Sequence, residues 1–244
     1  MESRYPTDSN GVPVLNRKDV EEEAENLLCF HDESLIEAPR EVPVLSICDR
    51  LEREYDVRFN YDVDLNTKVH GGRTILGKCL PDELTVYVDT SLRADDNIFT
   101  FTLAHELGHL VIHQGLELKT PLPPDDQEVI ERDYVTGRKI LVTAVDWLEW
   151  QANRFASALL MPRSTFQLAI SQQQTEMGIT RNVGFVHVDR EGYSLTDFEH
   201  LKSGISAFFR VSKTAVEYRM NDLGILHDRR YRNMKHISEL FRRR

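Results

Sequence analysis

The sequence predicts an α+β fold: a small antiparallel or mixed sheet, one long buried helix after it, and a helical subdomain beyond. Three observations carry this. Val57–Tyr61 and Leu84–Val88 alternate with period two, as strands do. The stretch from Asn97 to Gln114, NIFTFTLAHELGHLVIHQ, leaves almost no polar face on a helix, and such a helix is normally buried. Past Pro162 the chain turns helical, and two apolar stripes flank a turn at Val211-Ser212.

In chain order, residues 1–18 are polar, contain Pro6, Gly11 and Pro13, and read as a flexible arm. Val20, Ala24, Leu27 and Leu28 stripe a helix over Asp19–Phe30, with glutamates on a solvated face. A second helix runs from Val44 to Tyr55 through Leu45, Ile47, Cys48 and Leu51. Strands follow at Val57–Tyr61, Thr74–Leu76 and Leu84–Val88, separated by turns at Gly71-Gly72 and Pro81-Asp82. His70 falls in a loop. Asp95-Asp96-Asn97 caps the long helix and Gly115 stops it.

Pro121, Pro123 and Pro124 make the next segment a loop, with a short helix over Gln127–Tyr134 and a candidate lid over Leu118–Val129. Leu148, Ala152, Phe155, Ala156, Leu159 and Leu160 then stripe an amphipathic helix that ends near Met161, before Pro162. Gln172-Gln173-Gln174 reads as an exposed helix end. Val183–Val188 followed by Asp189–Gly192 reads as a hairpin, and Thr196–Glu199 as a capping box. Leu201, Ile205, Phe208 and Phe209 lie on one helix. Ala215, Val216, Met220 and Leu223 lie on the next, which Ser212 caps and Gly224 ends. The expected organisation is an arm over 1–18, a catalytic domain over 19–165, a helix-turn-helix-like subdomain over 166–227 and a basic tail over 228–244.

Chemistry concentrates in His105-Glu106-Leu107-Gly108-His109. Helix residues four apart share a face, so two imidazoles reach one metal. Zinc accepts such nitrogens at about 2.0–2.1 Å. Glu106 follows the first ligand and is placed to take a proton from water at the metal. The plainer alternative is a core helix whose histidines bond to backbone.

Two histidines need a third ligand. His113 extends the spacing, but a rise of 1.5 Å per residue separates it from His105 by about 12 Å along the axis. It reads as a residue behind a ligand or in the cleft wall. Glu149 lies beside Ala152 and Ala156, toward the inner face of its helix, and completes a His₂Glu set with an open fourth position. A helix-start glutamate is the alternative reading. Asn153, one turn on, is placed to orient a ligand.

These segments carry a resemblance. FTFTLAHELGHLVIH followed by EWQANRFASALLMP is similar to the ImmA/IrrE family of metallopeptidases, a gluzincin-like group. The likeness extends through PVLSICDRLEREYDVRF and TVYVD upstream and FFRVSKTAVEYRMNDLGIL downstream. It implies a zincin-like domain with one zinc, manganese being the alternative, held by His105, His109 and Glu149, with Glu106 as general base. It also implies limited cleavage of helix-turn-helix repressors or antitoxins. In zincin-like folds an edge strand binds the extended substrate, and Leu84–Val88 is the candidate, by β-augmentation. Tyr87, His113 and His187 are candidate oxyanion donors.

Composition narrows the classes. A formal net charge of −10 over 244 residues argues against a general nucleic-acid binder. The second helix of the carboxy-terminal pair carries Lys213 and Arg219 but also Glu217 and Asp222, so buttressing is favoured over reading DNA. Arg229, Arg230, Arg232, Lys235 and Arg242–Arg244 make a basic tail suited to an acidic partner or nucleic acid. Three scattered cysteines, Cys29, Cys48 and Cys79, read as free thiols in a reducing cytoplasm. The first residues lack a signal-peptide pattern, and no run is apolar enough to span a membrane. The rival from another class is a non-catalytic module that binds a repressor or DNA through its carboxy-terminal helices.

Overall fold

The computed structural model describes residues 3–65, 75–118 and 143–230. The chain divides between Leu160 and Met161 into two units, and Ser34–Val42 joins the second. The expected short helix over Gln127–Tyr134, His70, nearly all of the candidate lid and most of the basic tail lie outside the described residues.

The first unit opens with residues 3–15 folded onto themselves. Asp8 Oδ1 accepts from the amides of Asn10 and Val12, and Val14 N donates to the Pro6 carbonyl at 2.8 Å. Gly11, Val12 and Pro13 are buried. A β-carbon on Gly11 would lie 2.3 Å from the Glu117 carbonyl oxygen. The segment expected to be a flexible arm is therefore fitted into the unit at these residues.

Helix α1 (Arg17–His31) starts two residues earlier than the apolar stripe suggests, because Asn16 and Asp19 form a reciprocal capping box. Val20, Ala24, Leu27 and Leu28 are buried as the stripe predicts. Glu21 departs from the expected solvated face. It is buried, with its Oε1 3.8 Å from an Arg154 guanidinium nitrogen. A buried carboxylate needs such a counter-charge. Helix α2 (Val44–Tyr55) buries Val44, Ile47, Cys48 and Leu51.

Strands β1 (Arg58–Val63), β2 (Gly77–Leu80) and β3 (Thr85–Asp89) form one mixed sheet in the order β1-β3-β2. β3 runs parallel to β1 and antiparallel to β2. Two expectations change here. Of the strand read at Thr74–Leu76, Thr74 lies outside the described residues, and Ile75 and Leu76 precede β2, which begins at Gly77. The segment Leu84–Val88 is no edge: β3 is the centre of the sheet, with Val86 and Val88 fully buried. Both sides of its backbone are already paired, which leaves no edge for a substrate to join.

Helix α3 (Asp96–Ile112) carries the HExxH motif. Asp95 caps it by accepting from the amides of Asn97 and Ile98, both at 3.1 Å. Helix α4 (Ala144–Leu160) begins with a box the sequence reading did not use. Thr143 N donates to Asp146 Oδ2 at 2.9 Å, and Asp146 N returns a bond to Thr143 Oγ1 at 3.1 Å.

In the second unit, α5 (Arg163–Glu176), α6 (Gly192–Phe209) and α7 (Lys213–Asp222) surround Phe166, Phe198, Leu201, Ile205, Phe209, Val216 and Met220. Ser212 caps α7 by accepting from Ala215 N, as expected. Three local readings change. β4 (Val186–Val188) pairs in parallel with β5 (Leu226–Asp228), so it is not half of a hairpin. Thr196 lies inside α6, its hydroxyl bonded to the Gly192 carbonyl one turn back, and caps nothing. Gln174 is buried, tied to Gly184 N and the Phe185 carbonyl. Arg219 is fully buried and donates to the Met161 carbonyl at 3.0 Å, so it has no surface to offer a phosphate.

Candidate metal centre

The site lies where α3 meets α4. Gly108 permits the approach: a β-carbon there would lie 3.0 Å from Ala152 Cα and 3.1 Å from the Ala152 carbonyl. With the helices this close, Glu149 reaches across to the two histidines one turn apart on α3.

His105 Nε2 and His109 Nε2 are 3.1 Å apart. Glu149 sets Oε2 3.3 Å from His105 Nε2 and Oε1 3.3 Å from His109 Nε2. These three are the group of His, Cys, Asp and Glu side chains among the described residues that could hold a metal. A tetrahedral ion with ligands at about 2.0–2.1 Å has donor-to-donor edges of about 3.3–3.4 Å; one donor atom from each of the three residues lies within 4.8 Å of the other two, and the imidazole nitrogens are 3.1 Å apart. The chemistry of the donors agrees. Two imidazole nitrogens and a carboxylate oxygen are the donor types of a His₂Glu zinc site.

The electrostatics follow. Burial favours the neutral forms of His105 and Glu149, but their mutual attraction outweighs it. His105 is raised above the usual imidazole value, and Glu149 is held well below the usual carboxylate range.

Each histidine is held from behind. His105 Nδ1 lies 3.2 Å from Asn153 Oδ1, where the sequence placed an orienting residue. His109 Nδ1 lies 2.9 Å from His113 Nδ1. His113 is buried, and this pushes its pKa down to about 3. It backs a candidate ligand and does not join the cluster, as the rise along the helix required.

Glu106 is 6% exposed and projects beneath β2. A β-carbon on Gly77 would lie 2.5 Å from its Oε1. Burial raises the Glu106 pKa, and the neighbouring imidazoles only partly offset this. Cys79, two residues along the strand, feels the same carboxylate, and burial together with that charge raises its thiol. Gly77 and Cys79 pair with Val88 and Val86, so all four share the face toward α3.

That register removes one oxyanion candidate. Tyr87 pairs with Lys78 and points to the opposite face of the sheet from Glu106. His113 is removed by its two hydrogen bonds, to His109 and to Gln151 Oε1 at 3.0 Å. His187 belongs to the second unit, stacked on His227 with ring centroids 4.8 Å apart.

The sequence reading missed Gly77, Gly108 and Gln151. Gly108 sits inside the motif, and its signal was a glycine kept in a helix interior. Gln151 sits two residues past Glu149, next to the inward-facing Ala152. Gly77 offered no signal, because what it makes room for lies on another element.

No helix among the described residues is long and apolar enough to cross a membrane. A comparison with curated proteins finds no match. The family model for peptidase M78, described as the IrrE N-terminal-like domain, matches residues 74–221, more than half of the chain. With the HExxH helix, the mixed sheet and the His-His-Glu cluster in place, the chain belongs to the IrrE N-terminal-like peptidase family.

Proposed function

We propose that this protein is a zinc-dependent metallo-endopeptidase that makes limited cuts in a regulatory protein, a helix-turn-helix repressor or antitoxin. The observation that carries the metallopeptidase reading is the convergence of His105, His109 and Glu149 donor atoms within 4.8 Å of one another, in a peptidase family. The substrate class follows from the family resemblance alone.

In this reading His105, His109 and Glu149 hold the ion and leave one position open. Bound there, zinc would acidify water and polarise the scissile carbonyl. Glu106 takes the proton of the attacking water and passes it to the leaving amine. Its raised pKa suits both halves of that exchange. Asn153 and His113 hold the imidazoles in orientation. An extended substrate adds to β2, whose outer side is unpaired among the described residues and whose Gly77 and Cys79 flank Glu106.

Elemental analysis of untagged protein tests the ligand set: one zinc per chain, falling sharply in Glu149→Ala. Glu106→Gln should keep the zinc and lose cleavage of candidate repressors. Relief of repression to equal extents by wild type and Glu106→Gln would replace the peptidase with a binding module.

A further inference from the structure

The histidine pair on α3 is continued by a chain of hydrogen bonds that reaches the amino-terminal segment. Gln151 Nε2 donates to the Pro13 carbonyl at 2.8 Å, and Gln151 Oε1 faces His113 Nε2 at 3.0 Å. His113 Nδ1 faces His109 Nδ1 at 2.9 Å, and His109 Nε2 joins the candidate ligand triangle. Gln151 is 1% exposed and His113 5%, so water does not compete for these bonds.

Each link dictates the next. A carbonyl can only accept, so the amino end of the Gln151 amide must face Pro13. Its oxygen therefore faces His113, and it too can only accept, so His113 carries its hydrogen on Nε2. A neutral imidazole has one N–H, which leaves His113 Nδ1 bare. A protonated His113 would be a buried cation bonded to an imidazole and an amide, with no carboxylate hydrogen-bonded to it among the described residues. His109 must then donate from Nδ1, which leaves Nε2 as the ring nitrogen turned toward the candidate ligand cluster.

We propose that Gln151, anchored on the Pro13 carbonyl, is a positioning residue for the metal: it sets the tautomer of His113, which sets that of His109. His109 Nε2 is thereby the ring nitrogen left for an ion. Metal affinity is thus coupled to the amino-terminal segment through a residue 138 positions from Pro13 in sequence. This inference rests on the metal-binding half of the proposed function and not on peptide cleavage.

The test uses the full chain labelled with nitrogen-15 in histidine. Multiple-bond nitrogen–proton spectra read each ring's tautomer, with and without zinc. Competition with a chromophoric chelator gives the zinc Kd. Wild-type His113 should be the Nε2–H tautomer in both states. Gln151→Met removes the acceptor, so the His113 signals should become a tautomer mixture and zinc binding should weaken about 10–100-fold. Gln151→Glu restores an acceptor, so it should return His113 to Nε2–H and recover most of that loss.

An Nδ1–H tautomer at wild-type His113 would overturn the proposal and needs no variant. So would a Gln151→Met protein whose zinc Kd stays within about twofold of wild type. Zinc bound with the expected tautomers but no cleavage of any repressor would support the relay and remove the peptidase reading. No zinc uptake by any preparation would overturn both.

Discussion

Gly108 and Ala152 mark the closest approach of α3 and α4: a methyl group on Gly108 would sit 3.0 Å from Ala152 Cα. The atoms in the way are backbone and the Phe155 β-carbon, so they cannot swing aside as the end of a flexible side chain does. The distance that seats the helices is also the distance across which Glu149 reaches His105 and His109.

Gly108→Ala should therefore lower stability and metal affinity together. Overpacking of this kind costs about 1–3 kcal/mol. Urea denaturation gives the first quantity and chelator competition the second. Wild-type stability with weakened zinc binding would show that the approach of the helices is not what seats Glu149.

Gly77→Ala should separate binding from catalysis. The new β-carbon first meets two side chains and no backbone atom: the Glu106 carboxylate at 2.5 Å and the methyl of buried Thr102 at 2.8 Å. Zinc content should stay near wild type while kcat falls about 100-fold, the scale of a 1 Å misplacement. Unchanged kcat would mean that Glu106 does not act from beneath β2.

Acid should destabilise the metal-free protein through His113. Its folded pKa, about 3, lies below the unfolded value near 6.5. Between these values the unfolded chain binds the extra proton, so stability is full above about pH 6.5 and drains as pH falls. The slope from this residue is about 1.4 kcal/mol per pH unit, and it ends near the folded pKa. Urea midpoints of chelator-treated wild type and His113→Asn, compared from pH 7 to 5, measure it. Parallel curves would remove His113 as the cause.

Substrate engagement should appear on β2. With a peptide held by the Glu106→Gln variant, amide exchange should slow at alternate residues across Gly77–Leu80 and stay unchanged across Thr85–Asp89, whose amides are already paired. Protection confined to β1 would move the substrate to the far edge of the sheet.

What the sequence determined by itself was local and periodic. The four-residue spacing of His105 and His109 needs nothing beyond the geometry of one helix. The cap at Asp95 and the buried stripes of α1 and α4 are likewise set by neighbours within a turn or two, whereas Leu45 of the stripe expected on α2 is exposed. Glu149 was legible because its helical stripe faces inward and two histidines already needed a third donor.

Tertiary structure decided whatever depends on residues far apart in the chain. Period two shows that Leu84–Val88 is a strand, but the pattern does not say which strands flank it, and β3 proved central. The same register turned Tyr87 away from Glu106. Gly77 is small because of a side chain on α3, and Gln151 is oriented by a carbonyl near the amino terminus. Helical hydrogen bonds close over four residues and leave their mark in sequence. Sheet order, close helix packing and a relay of hydrogen bonds are settled only when distant segments meet.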